Sequence, residues 1–96
     1  MADATDLFVR HSPERSRYEA VLDDEVVGVA DYRLRDERMV LPHTEVVPEH
    51  RGKGIGDHLA RAALDGAREQ GRLVVPACWF IREYIDRNDE YADLVA

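Results

Sequence analysis

The residue pattern predicts an α/β fold built on one mixed sheet, in which an antiparallel meander is followed by a parallel strand-helix-strand crossover and a C-terminal helix. Three observations predict it. Up to Val47, apolar residues come in short β-prone runs broken by acidic turns. From Ile55 the period becomes that of a helix. After Gly71 one more apolar run, Leu73-Val74-Val75, precedes a second helical spacing.

Taken in order, Met1 to Asp6 is small, acidic and aperiodic, and is read as a mobile end. Leu7 to His11 is a β-prone run closed by Ser12-Pro13. Tyr18 to Leu22 and Val26 to Leu34 flank the turn Asp23-Asp24-Glu25, as in a hairpin. In the second strand of that hairpin, alternation puts Val27, Val29, Asp31 and Arg33 on one face and Gly28, Ala30, Tyr32 and Leu34 on the other. The turn Asp36-Glu37-Arg38 leads to a fourth strand, Met39 to Val47. The helix that follows has an inner stripe of Ile55, Leu59, Ala62, Ala63, Gly66 and Ala67, with Asp57 and Arg61 paired on its outer face. Leu64 points away from that stripe. Gly71 stops the helix in the left-handed region. Leu73-Val74-Val75 reads as an inner strand covered on both faces. Trp79 to Asp86 reads as the last helix, and Tyr91 to Val95 as a final contact segment.

The chain has 96 residues, with 13 basic and 20 acidic side chains and a net charge of −7. That is one domain with a modest core, burying roughly 60–65% of its unfolded surface. The acidic balance argues against a nucleic-acid partner, which requires a basic stripe. No apolar run is long enough to span a bilayer and no leader pattern opens the sequence, so a soluble cytoplasmic protein without a membrane partner is expected. The lone Cys78 makes neither an internal disulfide nor, alone, a metal site. No metal is expected. Among the basic residues are 12 arginines and a single lysine, Lys53, which falls in the most glycine-rich stretch.

That stretch, Val46-Val47-Pro48-Glu49-His50-Arg51-Gly52-Lys53-Gly54-Ile55-Gly56, joins a strand to a helix. Glycines let backbone N–H groups approach a ligand, and the first turn of a helix leaves four N–H groups without internal partners. On its glycines alone the loop is equally a turn that links strand to helix. A plain turn, however, needs one glycine and not three, and with Arg51 and Lys53 at its mouth the loop reads as a phosphate or pyrophosphate site. It is not a P-loop, because Gly54-Ile55 follows Lys53 where a hydroxyl would hold magnesium. Nor is it a dinucleotide fingerprint, because it follows the fourth strand and the next strand ends in Pro76-Ala77-Cys78 without an acid for the ribose.

At Arg51-Gly52-Lys53-Gly54-Ile55-Gly56 the sequence resembles the GNAT superfamily of acetyl-CoA-dependent N-acetyltransferases, whose signature there is Arg/Gln-x-x-Gly-x-Gly/Ala. Leu41 to Val46, Pro76-Ala77-Cys78, Tyr84-Ile85 with Arg87, and Glu90 to Val95 extend the likeness to the small single-domain GNAT-like subfamily, from about residue 18 to 95. Trp79 stands where that subfamily usually has proline, and Asn88-Asp89 where it has His-Pro. The resemblance implies that acetyl-CoA or CoA binds in a gap between the fourth and fifth strands. Val46 and Val47 would pair with the pantetheine arm, and Arg51, Gly52, Lys53, Gly54, Ile55 and Gly56 would hold the pyrophosphate.

Acetyl transfer to a small-molecule or protein amine needs a neutral amine, stabilisation of the oxyanion and a proton for the leaving thiolate. His43 and Glu45 lie two apart on the fourth strand, so they share one face roughly 6–7 Å apart. Either is a candidate base, and either is equally a structural strand residue. Cys78 is a small core residue or, at the N-terminus of the last helix, a nucleophile or acid. The resemblance, which places a cysteine there beside the thioester, puts the second role level with the first. Tyr84 is an alternative proton donor in the family and otherwise a packed aromatic. The segment from residue 83 to 93 carries five acids against Arg87, a solvated face or an attractor of a cationic amine. A CoA-binding module without turnover is the alternative function. Leu64 and an antiparallel edge leave room for a weak homodimer in place of a monomer.

Overall fold

The computed structural model describes residues 7–96, so the segment read as a mobile end lies outside the described residues. Strands β1 (Phe8–Ser12), β2 (Arg17–Leu22), β3 (Glu25–Arg35) and β4 (Arg38–Val46) form the meander. Helix α1 (Ile55–Glu69) then crosses to β5 (Leu73–Val75), and α2 (Trp79–Arg87) follows. The sheet order is β1-β2-β3-β4-β5, antiparallel except for the parallel pair β4 and β5. This is the mixed sheet that the period change predicts. Among the described residues no helix is long and apolar enough to cross a membrane.

Local chemistry sets the ends of these elements. Asp23 and Asp24 take φ of +51° and +69° between paired Leu22 and Glu25, a two-residue hairpin turn whose twist matches the strands it joins. At the end of α1, Gly71 has φ +69°, its N–H donates to Arg68 C=O at 3.1 Å, and the Arg72 N–H reaches Ala67 C=O at 2.9 Å. These two bonds satisfy carbonyls that the helix leaves open, and only the glycine turns without a Cβ penalty.

Both helices pack on one face of the sheet, sharing a core with Tyr18, Ala20, Ala30, Met39 and Val74. Register tells which side chains lie there. Leu34, Met39 and Val74 oppose one another across three strands, and the last two are fully buried; Arg33, Val40 and Val75 form the adjacent row and therefore face the other way. On that other face, Glu19 is almost completely buried beneath Arg10, Arg15 and Arg17, with contacts of 2.9, 3.3 and 2.9 Å. The hydrogen bond from Arg10 outweighs burial and holds the Glu19 carboxyl below its usual range.

Four sequence expectations change. Leu64 is fully buried, as is Ala60, while Ala62 is only half-buried, so the apolar stripe is wider than the spacing suggested and Leu64 offers nothing to a dimer. Val27 is buried, because it is the extra residue of a bulge where the pairing of β2 with β3 steps from Ala20–Gly28 to Val21–Val26. β5 is an edge strand with Leu73 exposed, not an inner one; its apolar run serves one helix-covered face and one open face. Asp57 pairs with Arg87 of α2 at 3.6 Å rather than with Arg61.

Candidate functional site

Two prolines and a bulge open a cleft beside β4. Parallel pairing of β4 with β5 covers only Arg38–Val40 against Leu73–Val75. Immediately beyond, Leu41 and Pro42 together oppose the single residue Tyr32 of β3, and Pro42 has no N–H to offer a neighbour. Pro76 ends β5 in the same way. The chains then touch once more, where the Cys78 N–H donates to Leu41 C=O at 2.9 Å. Past that bond the edge of β4 from His43 to Val46 has no paired strand among the described residues, and a cleft of about 650 Å³ lies between it, the glycine loop and the start of α2.

The loop end of the cleft carries unpaired donors. Gly52 and Gly54 adopt φ of +82° and +80°, and a Cβ on either would meet nothing within 4 Å, so this backbone faces open space. The first hydrogen bond of α1 runs from the His58 N–H to Gly54 C=O. The amides of Ile55, Gly56 and Asp57 precede it and lack helical acceptors, at the positive end of a 15-residue helix. All three residues line the cleft. Arg51 also lines it, with its Nε donating to Val46 C=O at 3.0 Å, which fixes the guanidinium between strand and loop.

Along the strand, His43 Nε2 and Glu45 Oε1 lie 3.1 Å apart, and both side chains are more than half exposed at the cleft mouth. Cys78 is the N-cap residue of α2, half-buried, and lines the cleft from the opposite side. Thus the structure brings together His43, Glu45, Val46, Arg51, Gly52, Gly54, Ile55, Gly56 and Cys78. Three residues fall elsewhere. Val47 donates its N–H to Val27 C=O at 2.9 Å and is turned out of the cleft wall. Lys53 is also outside the wall, 3.5 Å from His50 Nδ1. Tyr84 is buried against Tyr91, with ring centroids 6.1 Å apart, and its ring centre lies 5.8 Å from the Arg87 guanidinium. It does not reach the cleft because α2 turns this side of the helix toward the core.

The sequence reading missed Thr44, His50, Asp57, Trp79 and Phe80 of the wall. Thr44 Oγ1 is buried without a partner among the described residues. Phe80 lies so close to Gly56 that a Cβ there would sit 2.7 Å from the ring. Gly56 therefore lets the two helices close on each other at the base of the cleft. Trp79 is 64% exposed beside it, set edge-on to Phe80.

The GCN5-related N-acetyl-transferase family matches residues 17–94 of the chain. The chain belongs to this family. Protein NATD1 of Xenopus tropicalis is 32% identical over 91 residues, covering 92% of this chain and 83% of its own length. Protein NATD1 of Mus musculus is 37% identical over 86 residues, covering 83% and 74% respectively. In fold, the chain resembles a GCN5-like protein from Staphylococcus aureus solved by NMR, with a TM-score of 0.72 at 22% identity over 96% of this chain and 90% of that one. The chain is thus a GNAT N-acetyltransferase domain, and its cleft lies where the β4 and β5 strands of this GNAT sheet part.

Proposed function

We propose that this GNAT domain transfers an acetyl group from acetyl-CoA to an amine. One observation carries the reading: donors without partners, in a glycine backbone with open space in front of it, stand at one end of a cleft that has a base and a thiol at its other walls. The donor set fits the cofactor. Amides at a helix N-terminus together with Arg51 suit a pyrophosphate, the unpaired β4 edge suits an amide-bearing arm, and Thr44 Oγ1 is a buried hydroxyl in need of a partner. When bound, acetyl-CoA supplies the activated thioester carbonyl.

The chain's own residues supply the rest. An alkylamine has a pKa near 10.4, so at neutral pH it arrives as an ammonium ion and must lose a proton before it can attack. His43 and Glu45 stand at the cleft mouth, where one attracts the ammonium and the pair passes its proton to solvent. Cys78, capping α2 against the cleft, is placed either to accept the acetyl group or to protonate the leaving thiolate.

Mass spectrometry of the protein and of a panel of amines after incubation with acetyl-CoA tests this. We expect acetylated amine, with a rate reduced roughly 10²-fold or more in a His43→Ala/Glu45→Gln double variant. A protein-bound acetyl group lost in Cys78→Ala identifies the route through sulfur; acetylated amine with no adduct identifies direct attack. CoA binding with neither product overturns the transfer reading and leaves a CoA-binding module.

A further inference from the structure

Opposite the helices, the face of the sheet that no other described element covers is of divided charge. Arg33, Arg35 and Arg38 lie on it by register, since Arg33 opposes Val40 and Arg38 opposes both Arg35 and Leu73, in rows that alternate with the buried Met39 and Val74. All three are exposed, and none forms an ion pair among the described residues. Arg10, Arg15 and Arg17 on the same face are different, because they converge on Glu19. A concavity of about 760 Å³ is lined by Arg35 and Arg38, by Val40, Leu73 and Val75, and by Asp36 and Glu37 of the outer turn. Farther along the same face, Asp31 opposes His43 and Val29 opposes Glu45. The face is therefore cationic at the β3–β4 turn end and anionic at the cleft mouth, in a chain whose net charge is −7.

We propose that this face docks the acceptor as an acidic polypeptide segment. Its amine sits at the cleft mouth by Asp31 and Glu45, and its carboxylates sit on Arg33, Arg35 and Arg38. The inference rests on the acetyl-transfer reading and names the substrate class for the same site. The polarity fits such a ligand, which has an ammonium end and anionic groups displaced to one side. At about 3.3 Å per residue, Val40 and His43 are roughly 10 Å apart along β4, and Arg38 and Glu45 roughly 23 Å. The carboxylates of an extended segment should therefore fall about three to seven residues from the amine. The aliphatic side chains beside the arginines accommodate the methylene groups of glutamate. A nucleic acid fits less well: it has no ammonium group for Asp31 and Glu45, the concavity has no aromatic side chain for stacking, and the overall charge repels a long polyanion.

Fluorescence polarisation with the full chain tests the proposal. The probes are a labelled peptide with a free amine and a Glu/Asp block three to seven residues away, the same peptide with Gln/Asn in the block, and a single-stranded oligonucleotide. We expect the acidic peptide to bind at least about tenfold tighter than the neutral one. The preference should shrink in high salt, vanish in Arg33→Glu/Arg35→Glu/Arg38→Glu and persist in the triple lysine variant. CoA affinity, measured calorimetrically, should be unchanged in both variants and reports their folding; if the glutamate variant does not fold, Arg35→Gln/Arg38→Gln takes its place. Equal binding of the two peptides, or tighter binding of the oligonucleotide, overturns the docking proposal while leaving CoA binding intact. Failure of the wild-type chain to bind CoA overturns the acetyl-transfer reading instead.

Discussion

The glycines at the loop and the glycines under the helices look alike in the sequence and do opposite work. Gly52 and Gly54 have positive φ and open space where a Cβ would be, so their lack of a side chain serves backbone shape and access. Gly28, Gly56 and Gly66 have ordinary φ but no room: a Cβ would press on Glu45 O and Leu59, on the Phe80 ring, and on the Tyr18 ring and hydroxyl. The first kind shapes the loop that faces the cleft, the second makes room in the core, and Gly56 does both, since it also lines the cleft. Stability and ligand affinity should therefore respond differently to the same substitution.

The largest effect is expected from Gly66→Ala. Tyr18 cannot swing aside, because it is buried and stacked on His11 at 4.4 Å. We expect a loss of about 2 kcal/mol, or roughly 8–16 °C in Tm, by calorimetry. Tyr18→Phe removes the clashing oxygen, which has no hydrogen-bond partner among the described residues. The double variant should recover about 1 kcal/mol relative to Gly66→Ala, and no recovery would show that the strain lies elsewhere.

Gly54→Ala should divide the other way. Its left-handed backbone costs an alanine about 1–2 kcal/mol. CoA affinity should fall by roughly tenfold or more as the loop amides lose their aim. A variant that is destabilised yet binds CoA normally would remove Gly54 from the ligand side of the comparison.

The smallest effect is a titration. Burial, then the neighbouring Tyr32 and Glu69, pushes the Tyr18 phenol up to about 12. The folded state therefore favours the neutral phenol, a contribution present below the ordinary value of 10.0 and lost as pH rises toward 12. Phenolate absorbance should show Tyr18 ionising late, as burial also makes Tyr32 and Tyr91 do, and Tyr18→Phe should remove one of these late components and lessen the decline of stability across that window.

Much of this domain was legible in the residues because the signals are local. The change of period at Ile55, the aspartates in the first hairpin turn and Gly71 at the helix end each act within a few residues of chain. The sharp glycine backbone of the Arg51–Gly56 loop was legible for the same reason, since Gly52 and Gly54 act through their own φ. The misreadings concern how elements pack and pair with one another. Leu64 looked exposed because a stripe read from spacing is narrower than the surface that a sheet and a second helix cover together. Tyr84 read equally as a proton donor or a packed aromatic, because only the packing of α2 against Tyr91 turns it from the cleft. Val27 was put on the wrong face because alternation holds only until a bulge adds a residue.

By itself, then, the sequence determined the order of elements, the glycine loop proposed to bind an anion, and the candidate base and thiol, since backbone freedom and side-chain period are properties of contiguous residues. Only the tertiary structure decided where the cleft opens, which glycines serve the core, and that three free arginines share a face with Asp31 and Glu45. The cleft depends on a proline bulge in β4 meeting the end of β5 thirty-odd residues later. The charged face depends on the register of three strands, which no single stretch of chain contains.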